Sequence, residues 1–450
     1  MAAVECRPPE PEADDNDNSI HVSLIDAIQN FTDLDISLNK LERFLRVLGF
    51  CQYSILSTAL SWLAFFVISI IVPLLVAYFT YCSNCERYKI DHFELEVLVS
   101  QSIAAATSLL CISHNLRKYR IRKLLFVDRY HGQLTQFSEL YLKKIRVFYY
   151  LVVSWMTICF LLKITRAVTR AVYLYDGSVL WSIGIVVASL VSWAYSTIIF
   201  LVGTALFHLV GNLQVIHFEH FGKLLEMDMD VLVYINEHMR LTYYLCKISH
   251  RFRMFLLLEY LIVTASQCIV LLQTTTNQGI INFVNAGDFA VLSIVQLVGL
   301  LICLNAAAKI SHRAQGLGSV ASRWHALVTC NNDDTSVSGL SSDGRNVEAP
   351  KTLSQLPVNN SEGDLESADC MPPPTNIELT STMSSYHKRQ AFVAYVQSNP
   401  GGFSIFGWKV DRLLINTLFF VEMTLVTFLL GMTLTIKALL EFLLWEKLEP

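Results

Sequence analysis

Seven apolar stretches, each close to the length that crosses a bilayer, constrain the fold of this chain more than any other feature of its sequence. They lie at 54–81, 93–114, 145–165, 179–211, 254–273, 289–308 and 413–436. Hydrophobic residues make up 53% of the 450 residues and charged residues only 16%, which excludes an ordinary soluble domain. The sequence therefore predicts an all-α, multi-pass integral membrane protein with seven transmembrane helices in the lipid bilayer.

The loop charges predict the orientation of these spans. Lysine and arginine are concentrated in the loops after the second, fourth and sixth stretches and are scarce in the other three. Under the positive-inside rule, this pattern places the N-terminus in the cytosol and the C-terminus outside. The orientation is the reverse of that of a G-protein-coupled receptor. The N-terminal segment is acidic and polar, so we expect the first stretch to serve as the insertion signal, and we take the plasma membrane as the working location.

Composition divides the chain into five segments. We expect a disordered cytosolic N-terminus at 1–40, transmembrane helices one to six with cytosolic helical extensions at 41–327, a disordered cytosolic loop at 328–385, a cytosolic anchor helix and the seventh transmembrane helix at 386–436, and a short extracellular tail at 437–450. The loop is rich in Ser, Asn, Asp and Pro and nearly free of aromatic residues, so it cannot bury a core.

Two regions outside the spans show helical periodicity. Apolar residues recur before the first span at Leu41, Phe44, Leu45 and Leu48, which predicts an amphipathic helix along the inner membrane surface. After the fourth span, a charged but periodic sequence continues to residue 252. We expect it to form two long helices that protrude into the cytosol and turn back to the fifth span.

Signals for metal binding or catalysis are weak. His217 and His220 flank Glu219 at a spacing found in some metal sites, but on an amphipathic helix we favour solvated or intersubunit histidines. Cys82 and Cys85 lie in the first predicted extracellular loop, where a short-range disulfide is a candidate. Phosphate-binding loops, nucleophile elbows and metalloprotease motifs are absent from the sequence. We expect no enzymatic activity, cofactor, metal or nucleic-acid partner.

The last apolar stretch carries small polar residues on one side of its predicted helix. At about 100° per residue, these side chains fall within about 80° of one another. They are Thr417, Thr424, Thr427, Gly431 and Thr435. Glu422 points roughly the opposite way. Two interpretations remain open for this stripe: close packing between membrane helices, or a pore wall whose hydroxyls face water and ions.

Two carboxylates, Glu259 and Glu422, lie inside apolar spans. An unpaired charge there costs at least about 2.5 kcal/mol. One interpretation is a neutral or hydrogen-bonded carboxyl that packs against a polar neighbour, with His208, Asn305 or Lys309 as candidate partners. The other is a proton-coupled site, which would suit a transporter.

Three segments carry a resemblance to a known family: RQAFVAYVQSNPGGFSIFGWKVDRLLINTLFFVEMTLVTFLLGMTLTI, YCSNCE after the first span, and RKLLFVDRY after the second. They resemble the plant gustatory-receptor-like family, catalogued as a domain of unknown function. It belongs to the seven-transmembrane ion channel superfamily that includes insect gustatory and odorant receptors. The resemblance covers about residues 45–436 apart from the loop. The seventh-helix signature of the insect receptors is absent, with Leu434 and Thr435 in place of its final Gln-Phe.

The resemblance implies a ligand-gated, nonselective cation channel. It would be a homotetramer that conducts monovalent or divalent cations and opens on an unidentified small-molecule ligand. Its pore would be lined by the seventh helix, through Thr424, Thr427, Gly431 and Thr435, with Met432 or Leu434 as a candidate hydrophobic gate. The intersubunit anchor would comprise residues 213–252, 309–327 and 386–412.

Aromatic residues near the predicted outer ends of the spans are candidates for a ligand pocket. They are Tyr78, Tyr81, Phe160, Trp181 and Tyr195. Interfacial anchoring is the alternative role for each of them. The alternative functions for the whole protein are a proton-coupled transporter that uses Glu259 and Glu422, and a membrane signalling or scaffold protein that acts through the loop at 328–385.

Overall fold

The computed structural model describes residues 33–79, 93–126, 137–174, 179–227, 229–276, 283–335, 385–421, 423, 424 and 427. Within these residues the protein is helical apart from one short β-hairpin. Six of the described helices are long and apolar enough to cross a membrane, and they coincide with the first six predicted spans. The predicted all-α membrane class is therefore confirmed. The described part of the last predicted span is a shorter apolar helix, Arg412–Val421.

The elements follow one another along the chain with mostly short connections. The helices are α1 (33–47), α2 (Ile55–Phe66), α3 (Val72–Phe79), α4 (Phe93–Phe126), α5 (Ser138–Leu174), α6 (Val179–Leu224), α7 (Val231–Thr276), α8 (Phe283–Thr335), α9 (Ser385–Ser398) and α10 (Arg412–Val421). A five-residue π turn, Val67–Ile71, joins α2 and α3 into the first span. The hairpin pairs β1 (Ser404–Ile405) with β2 (Trp408–Lys409) in antiparallel fashion.

Two of the predicted segment boundaries are wrong. Residues 33–40 and 328–335 were assigned to disordered segments, but the first belong to α1 and the second to the end of α8. The apolar face of α1 begins at Leu34 and Leu38, both buried, so its amphipathic pattern starts earlier than Leu41. At the end of α8, extending a helix that is already formed costs little, even through polar residues. Residues 1–32, 336–384 and 437–450 lie outside the described residues.

Helices α6, α7 and α8 are far longer than a membrane span. The first two have 46 residues each and α8 has 53. At 1.5 Å per residue, 46 residues reach about 69 Å, more than twice the about 30 Å of a hydrocarbon core. The predicted pair of long helices after the fourth span, with a turn between them at residues 225–230, is therefore confirmed.

The parts of α6, α7 and α8 beyond their apolar sections pack with α9 into a second helical unit, called here the extension bundle (213–224, 231–252, 309–335 and 385–398). Its centre is aromatic. Tyr234 of α7 packs against Trp324 of α8 and Phe392 of α9, with ring centroids 5.4 Å and 5.9 Å apart. The extension bundle therefore has a core of its own, which keeps the long helices together outside the hydrocarbon.

Stability of the extension bundle should depend on pH through His238, which lies well before the apolar section of α7 and is 1% exposed. It contacts the rings of Phe221 and Tyr395, and burial lowers its pKa from 6.5 to about 4. Below about pH 6.5 the unfolded chain binds a proton that the folded chain does not. The free energy of unfolding should therefore decrease by up to about 3 kcal/mol as the pH falls from about 6.5 to about 4.

Thermal unfolding of the protein in detergent at a series of pH values measures this effect. In the variant His238→Phe the decrease should be smaller than in the wild type. The control is His387→Phe, which replaces an exposed histidine of the same bundle. An unchanged pH dependence in His238→Phe would contradict the assignment.

The amphipathic helix predicted before the first span is present as α1, but its apolar face does not face outward. Leu41 and Leu45 are buried in the protein core. Phe44 packs against two rings of α5, Phe148 at 6.5 Å and Tyr149 at 5.8 Å. This face therefore packs on the protein core, and the position of α1 along the membrane surface stays a prediction. Periodicity reveals an apolar face but not what covers it.

The end of α1 is fixed by Gly49, whose φ of 86° lies in the left-handed region. The Phe50 N–H donates to the Leu45 carbonyl at 2.9 Å and the Gly49 N–H to that of Arg46 at 3.1 Å, the two bonds of a Schellman cap. Ser61 Oγ of α2 donates to the Gly49 carbonyl at 2.8 Å. This turn sets the angle at which the chain enters its first span.

The π turn in the first span contacts two neighbouring helices through serines. Ser192 Oγ of α6 donates to the Ile68 carbonyl at 2.6 Å, and Ser102 Oγ of α4 donates to the Ser69 carbonyl at 3.2 Å. Ser196 Oγ donates to Ser69 Oγ at 3.0 Å. A π turn loosens the regular hydrogen-bond ladder of a helix, so its carbonyls accept such outside donors. The first span is thereby joined to α4 and α6 at its middle.

Candidate functional site

Glu259 on α7 is the most deeply buried carboxylate of the described residues, with 2% of its surface exposed. Ser108 Oγ of α4 donates to Glu259 Oε1 at 2.6 Å. Glu259 Oε2 has no hydrogen-bond partner within the described part of the chain. Gly203 of α6 makes room for this contact, because a Cβ there would lie 2.9 Å from Ser108 Oγ. Three helices therefore position one carboxyl group in the membrane core.

The partners predicted for this carboxyl group lie elsewhere. Lys309 Nζ donates to Asn212 Oδ1 at 3.3 Å, and Asn212 Nδ2 donates to the His208 carbonyl at 3.0 Å. Asn305 is exposed. Glu259 therefore bonds to Ser108 and not to one of these three candidates, whereas their pairing with Glu422 stays a prediction, because Glu422 lies outside the described residues.

A second polar level lies on the same face of α4. Ser100 Oγ donates to Ser266 Oγ of α7 at 2.7 Å and accepts from Gln296 Nε2 of α8 at 3.0 Å. Next to it, Gln101 Nε2 donates to Thr197 Oγ1 of α6 at 2.9 Å. Eight residues of α4 separate this level from Ser108, a rise of about 12 Å. The bundle interior therefore carries two polar levels between α4, α6, α7 and α8.

A small cavity adjoins the polar level formed by Ser100, Gln101 and Gln296. Its volume is about 10 Å³, about the room of one water molecule. Polar amide and hydroxyl groups meet aromatic and aliphatic walls in its lining, which consists of Gln101, Ala104, Trp193, Thr197, Phe200, Leu292, Val295 and Gln296. Gln296 Oε1 has no hydrogen-bond partner among the residues that the structure describes. This combination suits an uncharged ligand group that donates a hydrogen bond.

Gly299 of α8 lies against Phe200, whose ring lines the cavity. A Cβ at this position would lie 2.4 Å from Cε1 and 2.6 Å from Cζ of Phe200. The variant Gly299→Ala should therefore displace the buried Phe200 ring and lower the free energy of unfolding by about 1–3 kcal/mol. Thermal unfolding in detergent measures the loss.

The control for this substitution lies on the same helix. A Cβ at Gly316 meets no atom within 4 Å, so Gly316→Ala should stabilise the protein by up to about 1 kcal/mol through helix propensity. Adding Phe200→Leu to Gly299→Ala should restore part of the lost stability, because the smaller side chain leaves space for the new methyl group. No recovery would contradict the proposed steric cause.

With this geometry established, the sequence was compared with known proteins. A family model described as "Protein of unknown function (DUF3537)" matches residues 36–421. The chain belongs to the DUF3537 family. The match includes α1, both polar levels and the start of the last apolar stretch. No curated protein matches the chain.

Of the aromatic residues predicted to form a ligand pocket, the three whose side chains the structure describes do not line the cavity of this DUF3537 protein. Phe160 packs against the cluster that contains the cavity residues Trp193 and Phe200, Tyr195 is half-buried against the main core, and Tyr78 is exposed near the end of α3. Tyr81 and the side chain of Trp181 lie outside the described part. Sequence reasoning missed Gln101 and Gln296, although a glutamine within an apolar span is itself a signal of an internal polar contact.

The threonine side of α10 is not covered by the rest of the chain as described. Thr417, Thr424 and Thr427 are exposed. Thr417 Oγ1 donates to the Leu413 carbonyl at 2.9 Å and Thr424 Oγ1 to that of Phe420 at 2.6 Å, so both hydroxyls bond to their own helix. The other side of α10 packs on the bundle through Leu414, Ile415 and Leu418. The remaining residues assigned to this helix, Glu422, Gly431, Met432, Leu434 and Thr435, lie outside the described part.

The two histidines, His217 and His220, of the DUF3537 chain both contact the ring of Phe137. His217 is buried, with its Nε2 2.9 Å from Tyr141 Oη, so the prediction of a solvated or intersubunit histidine is wrong at this position. His220 contacts the ring of Phe137 at 4.9 Å, and Glu219 pairs with Arg313 at 3.2 Å. The described residues hold no cluster of three or more metal ligands. Cys82 and Cys85 lie outside them.

Proposed function

We propose that this DUF3537 protein is a homotetrameric, ligand-gated, nonselective cation channel whose pore is lined by its last transmembrane helix. One observation carries the proposal: α10 packs on its own bundle with aliphatic residues, and the described part of the chain leaves its threonine side uncovered, together with Leu413 and Phe420. In a membrane such a side is best covered by water in a conduit or by other copies of the same helix. A ring of identical helices around a central axis supplies both a water-filled conduit and neighbouring copies of the helix.

The chemistry of the stripe suits a weakly binding conduit. Threonine hydroxyls and the backbone near Gly431 replace part of the hydration shell of a cation without holding the ion tightly. Met432 or Leu434 would supply a hydrophobic constriction that closes the pore by excluding water. The resemblance to the gustatory-receptor-like family supports the tetramer and the cytosolic N-terminus. On this proposal the extension bundle is the cytosolic anchor between subunits, and the membrane is the plasma membrane.

The polar level around the cavity supports ligand gating. Gln101, Thr197 and Gln296 come from three different helices, so a small uncharged molecule bound among them would shift α4, α6 and α8 relative to one another. In the present conformation the cavity admits only a water-sized group, as a closed channel without ligand would. We expect the ligand to enter from outside, between the first six spans.

Particle images of the protein in nanodiscs, followed by current recordings in planar bilayers, test the proposal. The expected result is a fourfold particle with the last helix at its axis, and a cation current that Thr427→Leu reduces at least about tenfold. The control is Thr157→Leu, because Thr157 of α5 is an exposed threonine on a different membrane helix, with its hydroxyl bonded to the Val153 carbonyl at 2.8 Å. A monomeric particle, or an unchanged current in Thr427→Leu, would contradict the channel.

A proton-coupled transporter is the second candidate, and the burial of Glu259 with one oxygen unpaired among the described residues favours it. Such a transporter would require a group that binds and releases a proton within the membrane. The variant Glu259→Gln cannot do so, so it should abolish proton flux in proteoliposomes that contain a pH-sensitive dye. A channel should retain its current in the same variant, which distinguishes the two functions.

A further inference from the structure

The hairpin before α10 presents two aromatic side chains at its tip. Phe406 is 51% exposed and Trp408 is 75% exposed. Phe406 has a φ of 49° and Gly407 a φ of 85°, the backbone of a two-residue turn that favours Asn-Gly. A residue with a Cβ is strained in that conformation. Turn geometry therefore does not account for a phenylalanine at this position.

The base of the hairpin is fixed to the long helices. The Val410 N–H donates to the Phe403 carbonyl at 2.8 Å. The Phe403 N–H donates to Ser311 Oγ of α8 at 3.0 Å, and the Ser404 N–H donates to Ser249 Oγ of α7 at 3.3 Å. The tip is thus held in a constant position relative to α7 and α8.

That position is the level at which three helices leave the hydrocarbon. Ser249 lies five residues before the apolar section of α7, which begins at residue 254, and Ser311 lies three residues after that of α8, which ends at residue 308. Helix α10 begins at Arg412, three residues after β2. The hairpin therefore lies at the membrane boundary, where it is attached to α7 and α8 and continues into α10.

Basic side chains surround the aromatic tip. The Arg253 guanidinium lies 4.8 Å from the centre of the Phe406 ring. Lys409 and Arg412 are exposed on either side of Val410. The neighbouring carboxylate, Asp411, accepts a hydrogen bond from Gln315 Nε2 at 2.6 Å. The exposed part of this surface therefore combines aromatic rings with positive charge.

We propose that Phe406 and Trp408 insert into the headgroup region of the bilayer and that Arg253, Lys409 and Arg412 bind anionic phospholipid headgroups there. Tryptophan rings such as that of Trp408 concentrate at the depth of the headgroups, and Phe406 adds apolar surface beside it. Basic residues near the surface attract anionic lipids, and the rings beside them bring the cations within reach of the phosphates. Insertion of its ring in the membrane would account for a phenylalanine at this strained position.

Quenching of Trp408 fluorescence by brominated lipids tests this contact in the full chain. The protein is reconstituted in nanodiscs of phosphatidylcholine and phosphatidylglycerol, with bromine on one of the two lipids near the headgroup. Subtracting the emission of Trp408→Phe isolates the signal of Trp408. We expect at least about twofold stronger quenching when bromine is on the anionic lipid. The control is Trp324→Phe, because Trp324 lies in the extension bundle and its signal should not respond to either lipid.

Three results would overturn the proposal. Quenching of Trp408 by aqueous iodide but not by brominated lipid would show that the tip faces water. Protection from both quenchers would show that another protein chain covers it. Equal quenching by the two brominated lipids would show that the basic residues bind no anionic headgroup.

Two further variants test the aromatic part and the basic part of this surface separately. Phe406→Asn suits the turn, so the hairpin should keep its fold while Trp408 quenching by brominated lipid decreases. Unchanged quenching would overturn the role of Phe406. The double variant Lys409→Gln with Arg412→Gln should keep the quenching by brominated phosphatidylcholine and lose the preference for the anionic lipid. A preference that persists would overturn the role of these two cations.

Discussion

Glu259→Ala should lower the free energy of unfolding by about 2–5 kcal/mol, the range for removal of a buried side chain that leaves a cavity. The site is closed on all sides, so the surrounding helices cannot fill the space. Glu259→Gln should cost less than about 1.5 kcal/mol, because it keeps the volume and an oxygen that accepts from Ser108. The smaller loss in Glu259→Gln is expected for a neutral carboxyl group. The structure describes no basic side chain in an ion pair with Glu259.

Thermal unfolding in detergent at neutral pH measures both variants. Ser108→Ala is the companion substitution, and it should cost about 1–3 kcal/mol by leaving Glu259 Oε1 without its donor. In the double variant with Glu259→Gln the losses should not add, because both act on one hydrogen bond. A loss in Glu259→Gln as large as that in Glu259→Ala would show that the site requires a negative charge.

Gly49→Ala should lower the free energy of unfolding by about 2–5 kcal/mol. The left-handed backbone costs a residue with a Cβ about 1–2 kcal/mol. The new methyl carbon would also lie 2.4 Å from Ser61 Oγ and would displace it from the Gly49 carbonyl. Loss of that buried hydrogen bond adds about 1–3 kcal/mol.

Unfolding in detergent also measures this loss. Gly222→Ala is the matched control, because a Cβ there meets no atom within 4 Å and Gly222 lies within a helix. It should leave stability unchanged or raise it by up to about 1 kcal/mol. Equal stabilities of the two variants would show that the turn after α1 tolerates a different backbone.

The spans and the long extensions could be predicted from the sequence because they depend on quantities that a chain carries locally. An apolar run of about 20 residues is a span whatever its neighbours are. The continuation of α6 and α7 beyond the membrane followed from periodicity that persists where charges appear. Even the buried face of α1 was visible as a pattern, although its covering by α5 was not.

The contacts inside the bundle could not be predicted, because they depend on how each helix is rotated. Helix α6 shows the reason, because its consecutive residues 199–207 are all buried. No apolar face of this section can therefore be distinguished from a polar one. A helix that is apolar on all sides gives no signal of direction. The sequence therefore named Glu259 but not Ser108, and two of the candidate partners that it named, His208 and Lys309, contact Asn212 instead.

The π turn in the first span bears on how this protein should be handled. Its contacts with α4 and α6 are serine hydrogen bonds in the middle of the membrane, where lipid tails offer the hydroxyls no alternative partner. Detergent micelles admit water more readily, and water competes for the same donors and acceptors. Nanodiscs or native lipid particles are therefore the preparation of choice, since they preserve the attachment of the first span to the bundle.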